Sequence, residues 1–414
     1  MPRKPALGFI FVTLFLDILG IGLIIPILPK LIEELSGGNV SAASSTYGWL
    51  AALYALMQFI CAPVLGSLSD RFGRRPVILG SLLGSALDYL LLAFAPTLPW
   101  FFLGRIIAGI TGANITAASA YIADISPPEK RAANFGIIGA AFGLGFIAGP
   151  ALGGFLGNTS YGLRVPFFVA AGLTAVNWLY GMFVLPESLV PEHRRSFTWG
   201  RANPVGSLLA LKRFPVVLGL VETYFLSNLA HQVLPSTWVL YTGYRYHWTP
   251  KEVGASLAVV GIMAAIVQGG LARKIIPKLG ERRSIILGFI NGTIFMTAYG
   301  LATQGWMIYA LLVVGSFGSI ANPAIQGLIS RGVPPNEQGA VQGSLSSLAS
   351  VAGFIGPLVF TGLFGFFISP RAPVQVPGVA FFTGAGLILL ALVLALRSFR
   401  KNHQHYEADP ANSA

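Results

Sequence analysis

Uncharged stretches long enough to cross a bilayer recur from one end of the chain to the other. Arg131 and Arg164 enclose 32 uncharged residues, Arg164 and Glu187 enclose 22, and Glu252 and Arg273 enclose 20. A helix needs about 20 mostly apolar residues to span the hydrocarbon core, so the two shorter stretches are one span each. The 47 residues between Arg283 and Arg331 hold two spans, with a turn near Gln304 and Gly305. This pattern predicts helices near 7–28, 46–67, 76–95, 99–122, 134–157, 164–185, 214–240, 252–272, 284–303, 306–329, 338–363 and 376–397. The expected class is an all-α integral membrane protein with twelve transmembrane helices, and an even number puts both termini on one side.

Composition narrows the function. Of 414 residues 54% are hydrophobic and 10% charged, against roughly 25% charged in a soluble domain. A soluble surface cannot be covered with so little charge, and so apolar a chain is not disordered. The excess of 27 basic over 15 acidic residues is spread along the chain, which does not suit a nucleic-acid binder. A single cysteine, Cys61, excludes an internal disulfide and a zinc cage. The five histidines (His193, His231, His247, His403 and His405) form no metal or nucleophile–base pattern, and no G-x-x-x-x-G-K-S/T occurs. The expectation is therefore no enzyme, no cofactor and no metal.

The basic residues set the topology. With the N-terminus inside, 21 fall on the cytoplasmic face and five (Lys30, Arg164, Arg245, Lys251 and Arg371) on the outer face, with Arg105 within a span. The positive-inside rule prefers this orientation, and the expected location is the inner or plasma membrane. The first apolar run is too long for a signal-peptide core, contains Asp17 and lacks an A-x-A site, so it reads as a retained span. The expected organisation is an N-terminal bundle 1–185, a cytoplasmic linker 186–213, a C-terminal bundle 214–399 and a disordered tail 400–414.

The bundles repeat each other. Pro127-Pro128, Gly136 and Gly149-Pro150 recur 207 residues later as Pro334-Pro335, Gly343 and Gly356-Pro357. At the same offset Gly73 matches Gly280, Arg71 becomes Lys278 and Arg75 becomes Arg282. Two parallel six-helix repeats imply an axis along the membrane normal and a cavity between them that opens to either side in turn.

Between the second and third helices the chain reads GSLSDRFGRR, Gly66 to Arg75. Gly66 permits close helix approach, Gly73 a tight turn, and Asp70 with Arg71, Arg74 and Arg75 a charge-assisted cluster at a cytoplasmic gate. The segment resembles the signature of the major facilitator superfamily, with every fixed position filled. In helix 5, GFIAGPALGG places Gly145, Gly149, Pro150, Gly153 and Gly154 where close backbone packing and a bend are possible. It resembles the motif of the drug:proton antiporter branch. LDILGIGLIIPILP, LAALYALMQFICAP, LSDRFGRRPV, LDYLLLAFAP and FGLGFIAGP together resemble the tetracycline exporters of that superfamily, over most of residues 7–157. Those exporters carry a His in helix 8 and an Asp in helix 9, where this chain has Ala264 and Gly292.

Charges inside spans are costly and mark function by default. Asp17, Asp88, Arg105 and Glu222 are the candidates for proton coupling. Asp17, midway along helix 1 and isolated along the sequence, either takes a proton from one side and releases it to the other or stays a neutral, hydrogen-bonded, inert acid. Asp88 either couples to the proton or bonds Asn114 or a helix 4 hydroxyl. Arg105 either pairs with an acid or reaches the outer headgroups. Glu222 either replaces the acid missing from the C-terminal half or lies at a cytoplasmic opening. His231, nine residues further on, faces away from it. Gln58, Asn114, Asn228, Gln232, Asn322 and Gln326 are candidate substrate contacts or interhelical bonds, with Gln58 and Gln326 fitting the exporter pattern.

The expected function is proton-coupled export of an amphiphilic small molecule by alternating access. Expected partners are that substrate, protons and the lipid bilayer, with no nucleic acid, and the protein is read as a monomer. The alternatives are an importer or metabolite exporter on the same fold, a membrane-embedded enzyme, or a channel.

Overall fold

The computed structural model describes residues 7–112, 114–127, 131–194, 215–333 and 337–401. The repeat's Pro128, Pro334 and Pro335, most of the linker and nearly all of the tail lie outside the described residues, as do the tail histidines His403 and His405. Among the described residues the chain is helical throughout its apolar stretches. We number the spans α1 (Leu7–Leu35), α2 (Val40–Phe72), α3 (Arg74–Phe94), α4 (Leu98–Ile125), α5 (Arg131–Gly157) and α6 (Val165–Val184). They continue as α7 (Pro215–His231 and Val233–Tyr246), α8 (Pro250–Leu279), α9 (Glu281–Leu301), α10 (Gly305–Arg331), α11 (Gln338–Phe367) and α12 (Val379–Lys401).

Among the described residues eleven of these spans are long and apolar enough to cross a membrane, and α7 is divided. Its two parts meet at Gln232, three residues before Pro235. Proline has no N–H to give to the carbonyl four residues back, so that turn cannot close as α-helix. Other spans are irregular too. α4 breaks at Gly112, α8 carries a π-helical segment Ala265–Leu271, and α10 a 3₁₀ segment Ser316–Ile320. Gly112 plus the 207-residue offset is Ser319, so the irregularities of α4 and α10 share one place in the repeat.

The helices gather into two compact units. The first comprises Met1–Asn39, Leu53–Pro204 and Trp248–Gly261, and the second Val40–Ala52, Val205–His247 and Ile262–Ala414. In the first, α1 is buried on nearly all sides and packs mainly on α5 and α6, while α3 packs on α6 and α4. In lipid, helix association gains little from the hydrophobic effect, so close van der Waals contact carries it and small residues sit at the interfaces. At the end of α3, the Arg164 guanidinium donates to the Ala93 and Ala95 carbonyls at 2.8 and 2.7 Å, satisfying groups a helix end leaves open.

In the second unit α7 packs on α12 and α11, and α9 on α12 and α10. One end is filled by Trp238, Tyr241, Tyr299, Phe364 and Phe381, rings in edge-on or tilted contact. Tyr241 also donates to the Tyr299 carbonyl at 2.7 Å. Phe94, Phe155, Phe183, Ile294 and Leu301 stand well exposed on the helices, which suits a surface solvated by lipid tails.

Candidate functional site

α2 runs unbroken through Phe72 and α3 begins at Arg74, so the segment expected as a loop is two helix ends joined at one residue. Gly73 makes this possible, with φ of +108°, in the region that favours glycine. A Cβ at Gly73 would run into the Glu187 carboxylate. With 33 residues, α2 is about 50 Å long, more than the ~30 Å hydrocarbon core, so helix extends well beyond one span.

Arg74 is the centre of this junction and is 7% exposed. Its guanidinium donates to Asp70 Oδ1 at 2.5 Å, Ser69 Oγ at 2.7 Å and Asp124 Oδ2 at 3.1 Å. Ser188 Oγ donates to the same Asp124 oxygen at 3.0 Å. The Glu187 carboxylate accepts from the backbone N–H of Arg74 at 2.9 Å, Arg75 at 3.2 Å, Ser188 at 2.9 Å and Leu189 at 3.0 Å. The first amides of a helix have no partner within it, and an anion there also meets the positive end of the helix dipole. Arg75 donates to the Met182 carbonyl. Arg71 lies instead over the Phe72 ring at 5.0 Å, outside the cluster. At the other side of α2, a Cβ at Gly66 would be 3.1 Å from the Thr116 methyl, so α2 and α4 meet there.

Sequence does not single out Asp124 and Glu187. Their signal is faint: two of fifteen acids, each at the end of a span on the side where arginines gather.

A second cluster lies inside the first unit. Asp17 is 4% and Asp88 1% exposed. Asp88 on α3 faces Arg105 on α4, with 3.7 Å between Oδ2 and Nη2. Arg105 is 8% exposed and does not reach a surface. Its guanidinium lies 5.9 Å from the Tyr54 ring centroid. Tyr54 is within electrostatic reach of Asp17 and Arg105, and Tyr89 of Asp17, Asp88, Arg105 and Tyr54. Tyr89, a phenol that carries no sequence signal of its own, is thus within electrostatic reach of both acids. Gln58 joins the same cluster, donating to Tyr54 Oη at 3.3 Å and to the Gly112 carbonyl at 3.2 Å. That carbonyl is at the break in α4, where a side-chain donor is needed. Ser85 donates to Thr111 Oγ1 at 3.0 Å beside it. The side chain of Asn114 lies outside the described residues.

Each glycine of the α5 motif touches a neighbour's backbone or side chain. A Cβ at Gly145 would be 2.6 Å from Ile18, and one at Gly149 would be 2.7 Å from the Gly22 Cα. One at Gly153 would strike the Leu23 carbonyl, and one at Gly154 the Pro250 carbonyl of α8. Pro150 stands within α5 without ending it, and its ring abuts Gly22.

The remaining polar candidates fall in the second unit. Ser227 on α7 donates to Asn322 Oδ1 on α10 at 2.9 Å, while Asn228 donates to the Tyr224 carbonyl at 2.9 Å. His231 Nδ1 donates to the Ser227 carbonyl at 2.7 Å. Gln232 occupies the α7 break and packs on Gly356 of α11. Gln326 is half-buried on α10, and Glu222 is exposed on α7. The site residues therefore form separate groups: the junction, the buried acids, the α5 seam and the α7–α10 contacts.

Comparison with known proteins agrees with this architecture. The family model described as Major Facilitator Superfamily matches residues 10–357. The tetracycline resistance protein of class C from Escherichia coli is 41% identical over 392 residues, covering 95% of this chain and 96% of the relative. The crystal structure of a human organic anion transporter superposes with a TM-score of 0.70 at 26% identity, covering 95% of this chain and 100% of that one. A bacterial homologue of the human lysosomal transporter Spinster gives a TM-score of 0.76 at 14% identity, covering 95% and 96%, and shares the fold. The chain belongs to the major facilitator superfamily.

Proposed function

We propose that this member of the major facilitator superfamily exports an amphiphilic, tetracycline-like small molecule in exchange for protons. The observation that carries the reading is the burial of Asp17, Asp88 and Arg105 in one unit, with Asp88 facing Arg105 and Tyr89 within electrostatic reach of all three. Acids held in an apolar bundle are expensive and are kept where protons must be bound and released. The likeness to tetracycline resistance proteins over nearly the whole chain supports the direction and substrate class.

In this reading Asp17 carries the proton, and Asp88 with Arg105 couples its charge to the packing of α3 on α4. Glu222, exposed on α7, serves the aqueous side of the path, since a carboxylate facing lipid would be costly. Gln58, Asn114, Asn228, Gln232, Asn322 and Gln326 supply hydrogen bonds to the substrate. The Gly66–Arg75 junction holds one face closed, and the α5 glycines let α5 slide on α1. Both termini lie in the cytoplasm of a cell whose inner membrane holds the protein as a monomer. A proton entering down roughly 100 mV contributes about 2.3 kcal/mol from the electrical term, enough to support a substrate gradient of roughly fiftyfold.

The experiment is a proton-flux assay on reconstituted full-length protein. Tetracycline added against an imposed pH gradient dissipates it if the two are exchanged. An unchanged gradient overturns tetracycline as substrate. A second reading, export of another amphiphile by the same cycle, is favoured by Ala264 and Gly292 standing where the tetracycline exporters carry polar groups. A panel of amphiphiles in the same assay separates the two.

A further inference from the structure

The α8–α9 junction repeats the α2–α3 junction with its charges exchanged. At the 207-residue offset Arg74 becomes Glu281 and Asp124 becomes Arg331. The ion pair persists, with Arg331 Nη2 3.0 Å from Glu281 Oε1 against 3.1 Å for Arg74 and Asp124. Gly280, with φ of +79°, turns the chain where Gly73 does. In both units the member at the start of the odd-numbered helix is the sheltered one. The side chains of Arg74 and Glu281 are 9% and 10% exposed, those of Asp124 and Arg331 21% and 59%. α10 approaches Glu281 through Gly327, where a Cβ would lie 2.7 Å from Oε1.

The sign matters locally because a helix N-terminus favours an anion. α3 begins with two arginines and takes its anion from Glu187. α9 begins with Glu281 and brings its own. The place that corresponds to Glu187 is Leu394, and the next charged residue on α12 is Arg397. Hence the second unit has an acid at the helix start and none at the equivalent of Glu187.

We propose that Glu281 and Arg331 form a charge-inverted latch, in which Glu281 alone performs the two tasks that Asp124 and Glu187 share in the first unit. It pairs with the arginine and it supplies the negative charge at the helix start. Both are positioning residues for transport, and the inference rests on the transport reading above. With Arg331 mostly in solvent, this latch weakens in salt more than the sheltered Arg74 pair does.

The test uses full-length protein carrying E281Q, E281D, R331Q or the exchange E281R/R331E. One readout is amide hydrogen exchange at Ser284 and Ile285, in the first turn of α9. The other is the Vmax and KM of pH-driven tetracycline transport. E281Q is expected to speed exchange by about two- to fivefold, the equivalent of losing a helix-terminus charge, and to lower Vmax with KM unchanged. E281D retains both properties. R331Q lowers Vmax while sparing most of the protection. The exchanged pair restores Vmax in part but speeds exchange at Ser284 and Ile285 at least as much as E281Q does, because a cation now begins the helix. Wild-type exchange and Vmax in both E281Q and R331Q would overturn the latch. Full protection in the exchanged pair would overturn the double role of Glu281. If the wild type moves no tetracycline, the transport reading fails while the exchange measurement still decides the double role.

Discussion

Asp88 and Arg105 face each other between α3 and α4 with 3.7 Å from Oδ2 to Nη2, beyond the range of an N–H···O hydrogen bond. Both are nearly sealed. The pair attracts without being locked, so neutralising either member by protonation changes the balance that holds α3 on α4. Removing one partner of a buried pair leaves the other uncompensated, which typically costs about 3–5 kcal/mol. Asp88→Asn should therefore lower the thermal unfolding midpoint in detergent strongly, and Asp88→Asn with Arg105→Gln should recover most of it. A single variant as stable as wild type would mean that the pair is compensated by other groups.

Asp17→Asn should abolish proton-driven efflux while leaving normal amounts of protein in the membrane. The carboxyl is buried in α1 within electrostatic reach of Tyr54 and Tyr89, and the amide keeps its shape but cannot ionise. Efflux from resting cells and membrane content by immunoblot check this together. Full efflux by the variant would remove Asp17 from the proton path.

Glu187→Gln should loosen the α2–α3 junction more than its place after α6 suggests. Its carboxylate accepts four backbone N–H groups, and each charge-assisted hydrogen bond contributes about 1.5–3 kcal/mol when made alone. Because an amide still accepts, the expected loss is smaller than for Glu187→Ala, roughly 1–3 kcal/mol in total. Limited proteolysis near residue 190 reports the loosening, and equal protection of all three proteins would contradict it.

Gly153→Ala should destabilise and slow transport, because the new methyl meets the Leu23 carbonyl of α1. Overpacking of this kind costs roughly 1–3 kcal/mol. Gly143→Ala on the same helix meets nothing within 4 Å and should be neutral or stabilising by up to about 1 kcal/mol. Thermal unfolding of the pair is the measurement, and equal midpoints would show that α5 yields at the seam.

Much of this is legible along the chain. The uncharged stretches mark the spans, because lipid excludes charge whatever the tertiary arrangement, and GSLSDRFGRR marks a junction because Gly73 takes at little cost the positive φ that so tight a turn needs. Boundaries are less legible. α2 begins at Val40 rather than near 46 and ends at Phe72 rather than near 67, since helix continues into the aqueous region with no apolar pattern to announce it. The division of α7 escapes a sequence reading because Pro235 is tolerable within a span. Tyr54, Tyr89, Asp124 and Glu187 escape it because their partners lie on other helices, far away in sequence.

The sequence by itself determined class and repeat, through residue counts that depend only on hydropathy and a fixed 207-residue offset. It also named the acids worth attention, since there are few of them. Only the tertiary structure decided which charges meet. Arg74 reaches Asp124 fifty residues on and Glu187 beyond that, Arg105 turns inward to Asp88, and Arg71 stands aside on Phe72. The physical reason is that a charge pair depends on distance and burial. Helix packing sets both, and spacing along the chain sets neither.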